Sequence, residues 1–419
     1  MKAIILAACH GTRMRSNTHK VMNPILGKPL LQYVTDACKD AGVTDITLVV
    51  SQGNDDIRAA MKKAYQDIRP IPEFRYTVQT ERAGTGHAVQ AAAGHIRPED
   101  DVLIVAGDMP LITAGFVREF ADFYAAKNCS GVVTVNTCIY LFKGAVLLEW
   151  ISQITDNNSQ CEYYLADAPE ILRDAGHRIY VFESDDEVST FTGISTQAQL
   201  AEVTMYMRHR INLRHMENGV RMLDPATTYI DDMVEIAPNV VIYPGCILEG
   251  ACKIAEGAMI GPYAHMLDTA VGKGSTVRQS VLTGAKVGEN TTVGPYAYLR
   301  PGAVIGDKCR IGNFVEVKNS NIGDGTAMAH LAYIGDADVG RNVNYSCGAI
   351  TANYDGKNKH RTVIADGAFI GCNASMVAPL TVGEGALVTA GSTITEDVPA
   401  DCMSFGRARQ VNKEGRAKR

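Results

Sequence analysis

Two short stretches near the start of the chain carry residue types suited to phosphate and metal chemistry. In "KAIILAACHGTRMRSNTHK" (2–20) an apolar, β-rich run stops at small residues and opens into a polar loop. Small residues let successive backbone N–H groups converge on an anion, which is what a phosphate-cradling loop requires. The loop lacks the GxxxxGK[ST] spacing of a Walker-type site. In "VLIVAGDMP" (102–110) a second apolar run ends on a carboxylate, Asp108. One carboxylate there suits Mg²⁺, which takes its other ligands from water and phosphate. Taken alone, Asp108 reads equally well as a turn residue, and "LAAC" reads as a lipoprotein cleavage box. Length excludes the box, since only Ala3 to Ala8 precede Cys9, against the roughly 7–15 apolar residues of a secretory leader.

The elements that must position these residues differ between the two halves of the chain. Up to about residue 200, β-rich runs at 2–8, 45–51, 102–108 and 131–136 alternate with segments at 30–42 and 55–68 whose apolar residues have helical spacing. Strands separated by helices predict βαβ units and a parallel sheet, with ligands bound beyond the carboxyl ends of the strands. From about residue 235 the period becomes six. Ile236, Ile242, Leu248, Ile254, Ile260 and Met266 are in phase, as are Val281, Val287, Val293, Leu299, Ile305, Ile311 and Val317. Ile364, Ile370, Met376, Val382, Val388 and Ile394 form a third run. A six-residue aliphatic repeat predicts a parallel β-helix, whose coils stack the repeated side chains inside. The repeat breaks at 345–362, which predicts a surface loop on a binding face. The expected domains are 1–196 (α/β), 197–219 (a connecting helix), 220–398 (β-helix) and 399–419 (a tail).

Composition narrows the function classes. The chain has 419 residues, 46% hydrophobic and 21% charged, with a net charge of −6. Without a basic excess no nucleic-acid partner is expected, and no stretch approaches the ~20 apolar residues of a membrane span. Eleven cysteines occur without a CxxC pair, so reduced thiols in a cytoplasmic protein are the expectation.

Several motifs occur together: "GTRM" with Lys20 following, "AGTGHAV" (83–89), "GDMPLI" (107–112), "EYYLAD" (162–167), "LRPGA" (299–303), "GNFVEVKNS" (312–320), "AHLAYIGDA" (329–337), "NYDGKNK" (353–359), "VAPLTVG" (377–383) and "RQVNKEG" (409–415). In this combination the chain resembles the bacterial N-acetylglucosamine-1-phosphate uridyltransferase/glucosamine-1-phosphate acetyltransferase family over nearly its whole length. The resemblance implies a Rossmann-like nucleotidyltransferase domain followed by a left-handed β-helix. It implies acetyl transfer from acetyl-CoA to glucosamine 1-phosphate, then UMP transfer from UTP with Mg²⁺. The product, UDP-N-acetylglucosamine, feeds peptidoglycan. A homotrimer with acetyl-CoA between subunits is also implied.

By the same resemblance His330 is the base that deprotonates the amine, as a group titrating near neutrality must. Arg300, Lys318 and Lys359 hold the phosphate, and Tyr333 and Asn344 contact the sugar. Cys347, Asn353, Tyr354, Cys372, Ala390 and Arg407 bind acetyl-CoA. In the first domain Leu6, Ala7, Ala8, Cys9, Gln79, Gly84 and Thr85 hold the nucleotide, with Arg13 and Lys20 on its phosphates. Asn136 contacts the sugar, Asp108 binds Mg²⁺, and Ser195 stands at the second metal position.

The chain departs from the family pattern at several of these places. Cys9 replaces a glycine, which predicts crowding of the nucleotide or a less favourable backbone. His19 replaces a proline, Ala106 an aromatic residue, and Ser195 an asparagine. Cys372 stands where many relatives carry serine, and Tyr345 and Ser346 interrupt a glycine-rich run, which predicts altered backbone approach to the ligand. Near residue 136 the chain passes from "GVVTVN" to "TCIYLFKG" without the family's sugar-holding segment. Uridylyl transfer is therefore expected to be impaired or lost, leaving an acetyltransferase-only homologue. A γ-type carbonic anhydrase shares the β-helix but needs several histidines on zinc, and the repeat half has only His265, His330 and His360. Other sugar-1-phosphate nucleotidyltransferases with β-helix tails, and a non-catalytic trimeric scaffold, are the remaining alternatives.

Overall fold

The computed structural model describes residues 1–9, 11–66, 73–81, 83–134, 137–158, 160–184, 188–414 and 416. The chain divides into two compact units, Met1–Met207 and Arg208–Arg419.

The first unit is built on seven strands: β1 (Lys2–Leu6), β2 (Asp45–Val50), β3 (Glu73–Val78), β4 (Asp101–Ala106), β5 (Gly131–Thr134), β6 (Tyr140–Lys143) and β7 (Ile179–Phe182). Their order in the sheet is β3-β2-β1-β4-β6-β5-β7. β1 is parallel to both neighbours, while β6 runs antiparallel to β4 and β5, so the sheet is mixed but mostly parallel. Successive strand residues face opposite sides, and both sides are buried. Ile5, Leu48 and Leu103 pack with Leu31, Ile57 and Phe116 of the helices Leu30–Asp40, Asp55–Tyr65 and Ala114–Lys127. Ile4, Val49 and Ile104 pack on the other side with Val89, Trp150 and Leu172. A strand covered on both faces must be apolar throughout, which is why β1 and β4 read as uninterrupted runs.

β5 joins β6 directly as an antiparallel hairpin, with Val133 opposite Tyr140 and Thr134 N–H donating to the Ile139 carbonyl (3.2 Å). The sheet is thus complete without a segment between these strands. Asn136 lies outside the described residues.

The second unit is a parallel three-sheet β-helix with sheets of eleven, ten and nine strands. The six-residue repeat places its aliphatic residues inward: Ile242, Ile260, Val293, Ile311, Ile370 and Val388 on the first sheet, Leu248, Met266, Leu299 and Met376 on the second, and Ile254, Val287, Ile305 and Val382 on the third are all buried. Val281 is an exception. It faces outward, 41% exposed, and Leu282 beside it takes the inward place. The two residues are both aliphatic, and a one-residue shift moves a strand side chain to the opposite face.

Each coil turns three corners, and left-handed residues stack there. One corner carries Asn290, Lys308, Gly325 and Asn342, and another carries Asp268, Gly284, Gly302, Asn319 and Asp336. Gly, Asn and Asp tolerate this conformation best. The corner between the first and second sheets differs, because bulky Tyr263, Tyr296, Phe314 and Leu331 adopt φ of 53 to 60° there. The 345–362 insertion opens instead at the corner between the second and third sheets, where the step is 17 from Tyr333 to Ile350 but 25 from Ala337 to Thr362. The register step of 17 from Ala327 to Asn344 becomes 25 from Asn344 to Phe369.

Candidate functional site

His330 sits on the bulky corner, between the strands Ala327–Met328 and Tyr333–Gly335, with φ 66° and Leu331 next to it at 60°. Two consecutive left-handed non-glycine residues cost on the order of 1 kcal/mol each. The backbone is fixed there by Gly348 N–H donating to the His330 carbonyl (3.0 Å) and Leu331 N–H to that of Asn313 (3.2 Å). The imidazole is exposed and makes no hydrogen bond among the described residues.

The second sheet supplies cations beside this corner. Arg300 follows the strand Tyr298–Leu299 and pairs with Glu316 (2.9 Å), with its guanidinium 5.9 Å from the Tyr298 ring centroid. Lys318 lies one coil further on, 3.6 Å from Asp336. Lys359, on the insertion, lies near enough to Lys318 for the two ammonium groups to perturb each other. Lys318 above all, then desolvation and, least, Arg300 push the Lys359 ammonium below its ordinary pKa, while Asp336 opposes them. Like charges held together in this way suit a dianionic ligand.

Asp336 organises this group. Its backbone is left-handed (φ 50°), and its carboxylate accepts hydrogen bonds from Asn319 Nδ2 (2.6 Å) and Asn353 Nδ2. Burial pushes its pKa up, but these two bonds with Lys318 and Lys359 outweigh burial and hold it below the usual carboxylate value. Gly335 leaves room for Tyr333, whose hydroxyl a Cβ there would meet at 2.3 Å. Asn353 therefore belongs to this polar group in the structure. Asn344 faces outward from the first sheet, across the His330 corner, and makes no hydrogen bond with the cations among the described residues.

Of the other residues assigned to acetyl-CoA, Cys347, Cys372 and Ala390 form a column up the His330 corner, while Tyr354 lies in the insertion. Asn373 N–H donates to the Cys347 carbonyl (2.8 Å), and Gly391 N–H to the Cys372 carbonyl (2.7 Å). Ala390 precedes Gly391, and the Arg407 side chain passes 3.8 Å from where a Gly391 Cβ would lie. Tyr354 is 61% exposed and its hydroxyl donates to the Gly356 carbonyl (2.7 Å). The Tyr345 side chain is buried in the inward ladder between Met328 and Ile370. Burial also pushes its phenol pKa up. Asp336, Asn319 and Glu316 were not singled out in the sequence.

In the first unit, a cavity of about 410 Å³ lies at the carboxyl ends of β1 and β3, lined by Leu6, Ala8, Cys9, Gly11, Gln79, Gly84 and Thr85. Ala7 is instead buried in the core. Glu162 and Tyr164 complete the lining and were not anticipated. The segment that carries them packs on two glycines: a Gly84 Cβ would meet the Tyr163 carbonyl at 2.5 Å, and Gly86 N–H donates to that oxygen (2.7 Å). Cys9 is exposed and is not among the positive-φ residues, so the expected backbone penalty is absent. Gly11 makes the left-handed turn, φ 66°, against the Lys20 side chain. His19 takes φ −51°, inside the range proline would impose, and its ring bonds Asp56 (2.9 Å).

Asp108 and Lys20 form an ion pair in which both side chains are largely buried. The Ser195 hydroxyl accepts from Arg13 (3.1 Å) and Lys20 (3.5 Å), and Ile194 N–H donates to the Asp108 carbonyl (3.1 Å). Arg13, Lys20, Asp108 and Ser195 are thus one cluster. Asp108 fits a single protein ligand of Mg²⁺ whose other ligands are phosphate and water. Ser195 does not fit, since its lone pairs face two cations. Among the described residues no group of three or more His, Cys, Asp or Glu side chains could hold a metal.

Residues 3–159 match the MobA-like NTP transferase domain, and residues 284–319 the bacterial transferase hexapeptide (six repeats). The bifunctional protein GlmU of Geobacillus sp. (strain WCH70) is 42% identical over 452 residues, covering 98% of this chain and 96% of that protein. Those of Brevibacillus brevis (39% over 451 residues, 98% and 96%) and Exiguobacterium sp. (38% over 457 residues, 100% and 99%) align as fully. All three alignments are longer than the 419-residue chain, so the relatives carry insertions relative to it. With both halves matched end to end at this identity, the chain belongs to the GlmU family of bifunctional proteins.

Proposed function

We propose that this chain makes UDP-N-acetylglucosamine from glucosamine 1-phosphate, acetyl-CoA and UTP. The gathering of Lys318 and Lys359 around Asp336, with Arg300 on the same sheet one coil before Lys318, carries the reading. The three cations hold the phosphate of glucosamine 1-phosphate. His330 takes a proton from its ammonium, and the free amine attacks the thioester carbonyl of acetyl-CoA lying along Cys347, Cys372 and Ala390. His330 passes that first proton to solvent; as the N–C bond forms it takes the second proton from the nitrogen, the C–S bond breaks, and the leaving thiolate takes this proton from His330.

In the first unit the cavity holds UTP, with the base against Leu6, Ala8, Gln79, Gly84 and Thr85, and Arg13 and Lys20 on the phosphates. Mg²⁺, bound through Asp108, would neutralise the triphosphate in the transfer of UMP to the sugar phosphate. Two observations favour a second reading, in which this step is slow or lost: the direct β5–β6 hairpin, and Ser195 facing two cations. Both activities are read on purified protein by thiol release from acetyl-CoA and by pyrophosphate release from UTP with N-acetylglucosamine 1-phosphate. Thiol release should fall about 100-fold or more in His330→Asn. Unchanged release in that variant would remove the acetyltransferase reading, and pyrophosphate release as fast as thiol release would remove the second reading.

A homotrimer is supported by the exposed column Tyr263, Tyr296, Phe314 and Leu331, each more than half exposed. A cytoplasmic location is what the reduced-thiol reading of the eleven cysteines implies; among the described residues no helix is long and apolar enough to cross a membrane.

A further inference from the structure

We propose that Cys347 and Cys372 form a thiol-modification site, a pair that oxidises to an intramolecular disulfide and closes the acetyl-CoA corner. The two residues occupy the same place in successive coils. The register step is 25 before them (Asn344↔Phe369, Tyr345↔Ile370) and still 25 after them (Ile350↔Ser375), so Cys347 stands opposite Cys372 without a slip. Asn373 N–H donates to the Cys347 carbonyl at 2.8 Å, which ties the two turns together at this point.

Parallel neighbours in register have Cα atoms about 4.8 Å apart, inside the roughly 4.4–6.8 Å window for a disulfide. Their Cβ atoms leave the same side of the turn. Cys347 is half-buried and Cys372 exposed, so an oxidant reaches the second directly and the first lies behind it. Cys246, Cys252 and Cys309 are buried and Cys402 is exposed, but none has a cysteine opposite it: Thr269 N–H donates to Cys252 Sγ (3.4 Å), and the Cys309 coil continues into Thr326. The pair is therefore a property of one corner, one coil beyond His330.

With hydrogen peroxide as oxidant, the Cys372 thiolate attacks one peroxide oxygen. The O–O bond breaks, leaving a sulfenic acid and one water. The Cys347 thiolate then attacks the sulfenic sulfur, the S–S bond forms and a second water leaves. Two thiols lose two electrons and two protons, and the peroxide is reduced to two waters. A thiol reductant reverses the step by exchange. The loss of turnover rests on the proposed acetyl-CoA site, whereas the disulfide itself does not.

The test treats the full-length protein with hydrogen peroxide and maps its peptides without reduction. A cross-linked peptide joining Cys347 to Cys372 is expected, with acetyl transfer down about tenfold or more and restored by dithiothreitol. Cys347→Ser and Cys372→Ser are each compared with their own untreated activity, and both should lose the reversible sensitivity. Peroxide products lacking this cross-link, or a Cys347→Ser protein as reversibly sensitive as the parent, overturn the proposal. A cross-linked protein with undiminished turnover overturns the closure. If untreated protein does not acetylate glucosamine 1-phosphate, the functional reading fails while the peptide map still decides the disulfide.

Discussion

Lys318 and Lys359 hold like charges near each other, and the Asp336 carboxylate offsets their repulsion. An ammonium whose pKa is lowered by neighbouring cations loses its proton earlier as pH rises, and a bound phosphate dianion restores it. The affinity for glucosamine 1-phosphate should therefore fall with rising pH before an ordinary lysine would titrate, and binding there should take up a proton. Isothermal titration in buffers of different ionisation enthalpy reads both. Lys359→Arg keeps its charge at any accessible pH, so it should flatten the fall and abolish the proton uptake. A parent protein with no proton uptake at alkaline pH would count against this arrangement. This proximity could not be read in the sequence. Lys318 and Lys359 are 41 positions apart, and each alone is a plausible surface charge. Their resemblance to family positions named them, but not Asp336, which compensates them and whose role depends on a left-handed corner.

The element that brings Lys359 to Lys318 is the insertion, and its closure has identifiable bonds. Asp355 accepts from Lys357 N–H (2.8 Å) and Asn358 N–H (2.7 Å), and its other oxygen meets His360 Nε2 at 2.7 Å. His360 N–H donates to the Asn353 carbonyl (2.8 Å), and Tyr354 bridges Lys359. The Asn358 N–H above all, then His360, hold the Asp355 carboxyl down at about 2. The tether is therefore charged at any pH above that range and is lost only as Asp355 protonates in strong acid. Removing the His360 end frees the strand that carries Lys359. His360→Phe should raise KM for glucosamine 1-phosphate about tenfold, the size of one hydrogen bond to a charged group, with kcat within about twofold. His360→Gln, which keeps a donor for Asp355, should recover most of it. A KM rise that glutamine does not recover would mean the ring acts by bulk. The coils on either side of this loop were legible for the opposite reason. Their inward residues recur every six positions and are selected by burial alone, so periodicity found them. It failed at Val281, where two adjacent aliphatic residues satisfy the same pattern and only the stacking on Met266 decides for Leu282. In the first unit the covered strands were legible as apolar runs, while the Glu162 and Tyr164 contribution was not, because it follows from a packed loop on Gly84 and Gly86.

At the scale of the whole molecule the question is what covers the bulky corner. Tyr263, Tyr296, Phe314 and Leu331 are from 53 to 67% exposed, the Tyr296 and Phe314 rings stack at 5.5 Å, and all four hold a left-handed backbone. Asn or Gly would hold that backbone with less strain, and the two other corners largely carry such residues. Large apolar side chains at strained, exposed positions in one line mark a surface that another molecule buries. A second and third copy of the chain fit best, because the same column continues into His330, Cys347 and Cys372, and closing it between copies would enclose the site proposed for acetyl-CoA. Phe314→Asp places an unpaired charge in the column, one coil before His330 and Leu331. The parent should elute from a calibrated column at three chain masses, with light scattering giving the same mass, and Phe314→Asp should shift toward one mass. Acetyl transfer should fall with the lost association, while UTP affinity in the first unit should hold, since that cavity is lined entirely by residues of Met1–Met207. A monomeric parent with full acetyl transfer would place the acetyl-CoA corner within one chain and leave the column without this role.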